Sequence, residues 1–187
     1  MIIVTVDQLA RGMSAKPEAA DLWCESLNIT ARLFEINANS KRLASWLAQL
    51  AHESGALEHA REIWGPTRAQ RRYEGRRDLG NTVRGDGERF KGYGLIQITG
   101  RANARRATRH LAPLIPNCPD FEVDPKLMAI PPWGALVAGA FWDWNNLSAL
   151  GDQGATVRIT FIVNGGANGL LDRRRHYARL LKVLNER

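Results

Sequence analysis

Ser40-Lys41-Arg42-Leu43-Ala44-Ser45-Trp46-Leu47-Ala48-Gln49-Leu50-Ala51-His52-Glu53-Ser54-Gly55 is the stretch on which the reading of the fold turns. Leu43, Trp46, Leu47 and Leu50 recur at i, i+3, i+4 and i+7, the spacing of one helix face. With Ser40 as N-cap and Gly55 as stop, the pattern predicts a helix over 41–54 whose apolar side is committed to a core. A carboxylate, Glu53, sits in its last turn beside that face.

Helical spacing recurs on both sides. Segments 6–12, 16–27 and 29–34 precede it; 102–111, an apolar 133–145, 156–163 and a basic 170–185 follow. Between 65 and 100 the character changes. Pro66 and seven glycines, from Gly75 to Gly100, punctuate a polar stretch in which only 95–98 reads as a short buried strand or turn. Six prolines mark 113–132 as a linker. The expectation is a mainly α domain with a long glycine-rich loop region and little strand. A loop of that length in a compact domain is usually functional.

The 187 residues, 44% of them hydrophobic, suit one domain spanning 1–187, with room for a small helical subdomain within about 105–135. No run of about 18 apolar residues is present, which excludes a membrane-spanning helix. Residues 1–7 lack the basic start and cleavage site of a secretory signal, so synthesis in a cytoplasm is expected. Cys24 and Cys118 are too few for a disulfide framework and read as ordinary buried thiols. Four histidines without paired spacing argue against zinc, and no cofactor is expected. The net charge of +7 favours anionic polymers without choosing among them. Its arginines are interleaved with acids, as on solvated helix faces, and do not form a nucleic-acid stripe.

Two carboxylates placed about a bond can hydrolyse a glycoside, one as acid and one activating water or attacking. Glu53, beside the apolar face, is the candidate acid, since burial would keep it protonated. Glu58, Glu62, Glu74, Asp78, Asp86 and Glu88 compete as its partner. On a continued helix Glu62 would lie on the opposite face and about 13 Å along the axis. It works with Glu53 only if the helix breaks and the chain turns back, which Gly55 permits. Any one of these acids, taken singly, is more often a solvated surface group.

Several strings then act together: His52-Glu53-Ser54-Gly55 followed by Glu62; Arg72-Tyr73-Glu74-Gly75-Arg76; Asp78-Leu79-Gly80-Asn81-Thr82; Gly85-Asp86-Gly87; Phe90-Lys91-Gly92-Tyr93-Gly94-Leu95-Ile96-Gln97-Ile98-Thr99-Gly100-Arg101-Ala102-Asn103; and Val163-Asn164-Gly165-Gly166-Ala167-Asn168-Gly169-Leu170. In this order, over about 43–177, they resemble glycoside hydrolase family nineteen, which holds plant and bacterial chitinases and many phage endolysins. The endolysin branch, with shorter loops, is the nearer likeness. The resemblance implies a lysozyme-like, two-lobed helical fold and an inverting mechanism without a metal. It implies Glu53 as general acid, Glu62 as general base and Thr99 as a holder of the attacking water. It further implies that Gln97, Asn103 and Asn164 line the sugar cleft and that Arg173 lies near the glutamates. Tyr93 stands where the family has an arginine, Ala104 where an aromatic follows the asparagine, and Trp64 near a usual Asn-Tyr pair; these changes bear on subsites.

Glu74 remains the rival second carboxylate, with pairing to an arginine as its other role. His52 reads as a hydrogen-bonded scaffold residue. Trp133, Trp142 and Trp144 read as core, and Trp64, in the loop just after Glu62, as the tryptophan that stacks on sugar; Tyr93 joins it as a substrate-binding candidate. The expected function is a monomeric peptidoglycan hydrolase cutting between N-acetylmuramic acid and N-acetylglucosamine, without nucleic-acid partner or stable membrane insertion, released from a host cytoplasm onto the wall. A chitinase and a non-catalytic wall-binding protein are the alternatives.

Overall fold

The computed structural model, which describes residues 1–186, is mainly helical. Its α-helices are α1 (Val6–Met13), α2 (Pro17–Leu33), α3 (Ser40–Glu53), α4 (Arg68–Arg71), α5 (Asp86–Arg89), α6 (Arg101–Leu111), α7 (Trp133–Trp144), α8 (Ser148–Asp152), α9 (Thr156–Asn164) and α10 (Leu170–Leu184). Short 3-10 turns lie at Ile36–Ala38, Arg77–Leu79 and Pro125–Ala129. Among the described residues there is no sheet, only isolated bridges pairing Arg61 with Tyr93 and Tyr93 with Ile98. No described helix is long and apolar enough to cross a membrane.

α3 is the central element, and it is buried all round rather than along one face. Every residue from Leu43 to Ala51 is inside. Leu43, Trp46, Leu47 and Leu50 form the expected stripe, while Ala44, Ser45, Ala48 and Ala51 are small enough for α8 and α10 to close over the other side. The N-cap is Asn39, not Ser40: its extended backbone places Oδ1 to accept from Arg42 N–H at 2.9 Å. Asn39 and Arg42 both donate to Asp152 of α8, which ties the start of α3 to the second half of the chain.

The two segments expected over 16–34 are one helix. Asn28 does not interrupt it, because its amide exchanges hydrogen bonds with the backbone of Val4 at 2.9 and 2.8 Å and anchors the N-terminal strand-like segment. α8, too short to show a period, was missed by the sequence pattern. The loop of 54–100 contains α4, α5 and a 3-10 turn, and 95–98 is a turn. The Pro-rich 113–132 stretch is docked rather than free: Phe121 is fully buried and its N–H donates to Thr108 Oγ1 at 2.8 Å. Trp142 is core, whereas Trp133 and Trp144 are half-buried, as are both cysteine thiols.

The loop region is fastened to α6 by a charged network. Asp86, buried, accepts from Arg101 Nε at 2.9 Å and from the N–H groups of Thr82 and Val83. Glu122 accepts from Arg101 and bidentately from Arg105 at 2.6 and 2.7 Å. Hydrogen bonding from Arg105 is the largest influence holding the Glu122 carboxyl down, from 4.5 to about 2, and Arg101 holds Asp86 low in the same sense. Both groups have folded pKa values below their unfolded ones. The stabilisation from Glu122 is complete above about pH 4.5 and drains away as pH falls toward 2, and that from Asp86 is lost in the same direction. Glu122→Gln is therefore expected to melt below wild type at pH 6, with the gap closing on acidification. A gap that stays constant from pH 6 to pH 2.5 would show that the network does not contribute in this way.

Candidate active site

α3 ends at Glu53, and the helix breaks at once. Gly55, Ala56 and Leu57 adopt φ of 57°, 59° and 71°, three successive left-handed residues that reverse the chain. Such backbone is free for glycine and costs an L-residue about 1–2 kcal/mol. Leu57 is kept there by burial and by its N–H, which donates to Ser54 Oγ at 2.8 Å. The break that Glu62 needs in order to work with Glu53 is present.

Glu53 is not set among apolar side chains as the sequence suggested. Its carboxylate accepts a hydrogen bond from Arg173 of α10, whose side chain is 1% exposed against 19% for the glutamate. Arg173 also donates to Gln49 Oε1 at 2.6 Å, one turn back on α3. The arginine is too enclosed to meet a substrate and instead positions Glu53. Beside it, His52 Nδ1 is 2.8 Å from Asp172 Oδ2, the scaffold role expected. Gly169 packs so closely on the His52 ring that a Cβ there would collide with it. The turn after α9, with Asn164 exposed at the helix end and Gly165 left-handed behind it, is thereby held near the Glu53 end of α3.

Glu62 is held by the loop region. Its N–H donates to Gly92 O at 2.8 Å, and Gly92 N–H returns a bond to Glu62 Oε2 at 2.9 Å. Oε1 accepts from Gln70 Nε2 at 2.9 Å and from the Tyr73 hydroxyl at 3.4 Å. Burial first, then the Glu62 charge, pushes the Tyr73 phenol up, so it remains a donor. A carboxylate has about four lone-pair positions. Three are occupied here, which leaves one for a further donor.

Gln97 follows on the same wall, at a left-handed φ of 56°, with Nε2 donating to His59 O at 3.1 Å. Thr99 Oγ1 donates to Gln97 O at 3.1 Å, and Asn103 Nδ2 donates to Thr99 O at 2.8 Å. The hydroxyl proton of Thr99 is thus committed while its lone pairs stay available. Trp64 is half-buried, tilted against Tyr73, with Lys91 Nζ 5.6 Å from its ring centre. Tyr93, in contrast, is 1% exposed and serves the backbone pairing with Arg61 and Ile98. Glu74 orients its loop, but through backbone amides rather than an arginine: its two oxygens accept from Gly85 and Gly87 N–H at 2.7 and 2.8 Å.

An open cleft of about 860 Å³ runs along this wall, lined by Glu62, Trp64, Arg61, Lys91, Lys126 and Ile130 among others. Of the residues the sequence singled out, Glu62 and Trp64 line it, while Glu53, Gln97, Thr99, Asn103 and Asn164 stand outside that lining. No protein-family model matches the chain. A Haemophilus influenzae (strain ATCC 51907 / DSM 11121 / KW20 / Rd) protein described as a glycosyl hydrolase family 19 domain-containing protein is 26% identical over 79% of this chain and 82% of the relative. The likeness is to a glycosyl hydrolase family 19 domain. Its fold agrees: chitinase C from Streptomyces griseus HUT6037 superposes with a TM-score of 0.71 at 17% identity, over 98% of this chain and 77% of that one. A bacterial family 19 chitinase gives 0.69 at 15%, over 99% and 96%.

The sequence pattern does not reveal the groups that hold the two glutamates. Gln49 fixes Arg173, while Gln70, itself locked by the N–H groups of Gly65 and Thr67, fixes Glu62. Gln49 carried one signal, a long polar side chain within an otherwise small and apolar helix. Among the described residues no group of His, Cys, Asp and Glu is arranged to hold a metal ion.

Proposed function

We propose that the chain hydrolyses the β-1,4 bond between N-acetylmuramic acid and N-acetylglucosamine in bacterial peptidoglycan by an inverting, two-carboxylate route. The carrying observation is the paired anchoring of Glu53 and Glu62 on either side of a helix break. Glu53 is fixed to α10 through Arg173, and Glu62 is fixed to the loop wall with one lone-pair position to spare. In this reading Glu53, carrying a proton on the oxygen that Arg173 does not engage, gives it to the departing sugar oxygen. Glu62 takes a proton from the attacking water, whose second hydrogen is accepted by Thr99 Oγ1, its own proton being engaged by Gln97 O. Gln97, Asn103 and Asn164 flank the glycan, and Trp64 offers a ring face to a sugar. No cofactor enters.

The basic charge of +7 suits the acidic bacterial envelope, and the family resemblance of the motifs is nearest to endolysins. The protein then acts as a monomeric lysin, made in a host cytoplasm and working on the wall after release. A chitinase reading is supported by the solved chitinases that share the fold. Mass spectrometry of the products from purified peptidoglycan, with chitin oligomers in parallel, separates the two. Muropeptides ending in reducing N-acetylmuramic acid are the expected result. Cleavage of chitin alone would transfer the same glutamates to a chitinase, and no product from either by folded protein would favour a non-catalytic wall binder.

A further inference from the structure

The cleft carries more positive charge than acid–base hydrolysis requires. Arg61, Lys91 and Lys126 line it, and none of them belongs to an ion pair among the described residues. The acids on the same lining are otherwise engaged: Glu58 pairs with Lys16 at 3.0 Å, and Glu62 is held by Gly92 and Gln70. Lys91 and Lys126 also line a neighbouring hollow of about 420 Å³, so the two lysines border both concavities. Glu88 and Asp124 share that second hollow, and Asp124 accepts from the Lys126 backbone N–H at 3.2 Å rather than from its ammonium. The Lys91 ammonium lies 5.6 Å from the ring centre of Trp64, the candidate sugar platform.

Unpaired cations on a convex surface are ordinary, but on a concave one their field is focused and falls on whatever the cleft binds. A polymer of N-acetylglucosamine is neutral and has no group to use it. Peptidoglycan carries carboxylates on the peptide stems borne by the lactyl groups of its N-acetylmuramic acid. We propose that Arg61, Lys91 and Lys126 form a subsite for the carboxylates of the peptide stem, beside the sugar stacked on Trp64. The subsite rests on the peptidoglycan reading of the same cleft. It adds to that reading the part of the substrate that selects for the cleft, and the side chains that recognise it.

The test measures kcat and KM on soluble peptide-bearing glycan strands, on the same strands after their carboxylates are converted to methylamides, and on a chitin hexamer. Wild type is compared with Lys126→Gln, with Lys91→Gln/Lys126→Gln, and with Arg174→Gln/Arg175→Gln, which removes two exposed charges from α10. Exposed charge pairs contribute modestly, so KM on native strands should rise about threefold for the single cleft variant and about tenfold for the double. Neutralising the strands should raise wild-type KM by a similar factor and leave the double cleft variant nearly indifferent. The α10 variant should respond to neutralisation as wild type does. If substitution and neutralisation multiply independently, or the α10 variant matches the cleft variant, the subsite is wrong while the peptidoglycan reading stands. A wild type that cuts the hexamer and not the strands sinks that reading, and the subsite with it. Lys126 is exposed and unpaired, so the single variant reports even if the double one folds poorly.

Discussion

Glu53→Gln is expected to lower kcat on peptidoglycan by about 10²–10⁴-fold, the usual contribution of a positioned acid, while the protein still folds. The reason for both halves lies in Arg173. Its guanidinium is buried, its Nε has no hydrogen-bond partner, and its remaining contacts are Gln49 and Glu53. Glutamine keeps an oxygen to accept from Arg173 and loses the transferable proton. Alanine keeps neither. Removing one partner of a buried ion pair typically costs about 3–5 kcal/mol, and since Glu53 is 19% exposed the cost of Glu53→Ala should fall at or below the lower end. The two variants should thus be alike in activity and unlike in thermal melting. Normal turnover by a folded Glu53→Gln protein would remove Glu53 from the chemistry. Equal melting of Gln and Ala variants would remove Arg173 from its positioning role.

The parts of this molecule that were legible in the sequence are those set by local spacing. Leu43, Trp46, Leu47 and Leu50 gave α3 its place, and the glycines after 65 marked a loop region that does carry Gln97 and Thr99, with Glu62 and Trp64 just before it. What stayed hidden depends on groups far apart in the chain. Asn28 looked like a helix break because nothing near it shows that Val4 will take its amide. The 113–132 stretch looked like a linker because the anchors of Phe121 and Glu122 lie on α6, more than ten residues away. Glu53 looked set for an apolar pocket because its neighbours on α3 are apolar, yet the group that meets it comes from 120 residues later. Arg173, which the family resemblance implied near the glutamates, sits in a run of three arginines, and no local pattern by itself tells which of Arg173, Arg174 and Arg175 points inward. That is decided by the face of α10 that packs on α3.

Glu62→Gln should reduce kcat by about 10²–10⁴-fold, and Glu74→Gln by far less, although both glutamates accept backbone N–H bonds in the same loop region. The difference is in where each stands relative to the cleft. Glu62 lines the cleft and keeps a lone-pair position after Gly92, Gln70 and Tyr73 are served. Glu74 spends one oxygen on Gly85 and the other on Gly87 and is absent from the cleft lining. Glutamine at either site sets an NH₂ donor against a donor. At position 62 Gln70 cannot simply turn over, because its Oε1 serves Gly65 and Thr67. Each variant should therefore lose stability, by about 1–3 kcal/mol for an unsatisfied buried group, less where the group is exposed, as Glu74 is. Melting alone cannot tell the two glutamates apart, and the kinetic split can. For Glu74→Gln the loss should appear mainly in KM, through a loosened 85–87 turn. For Glu62→Gln it should appear in kcat with KM little changed, since the lost interaction is made only as water is deprotonated. The opposite pattern, with kcat lost at 74 and kept at 62, would make Glu74 the base and leave Glu62 as the residue that holds the loop.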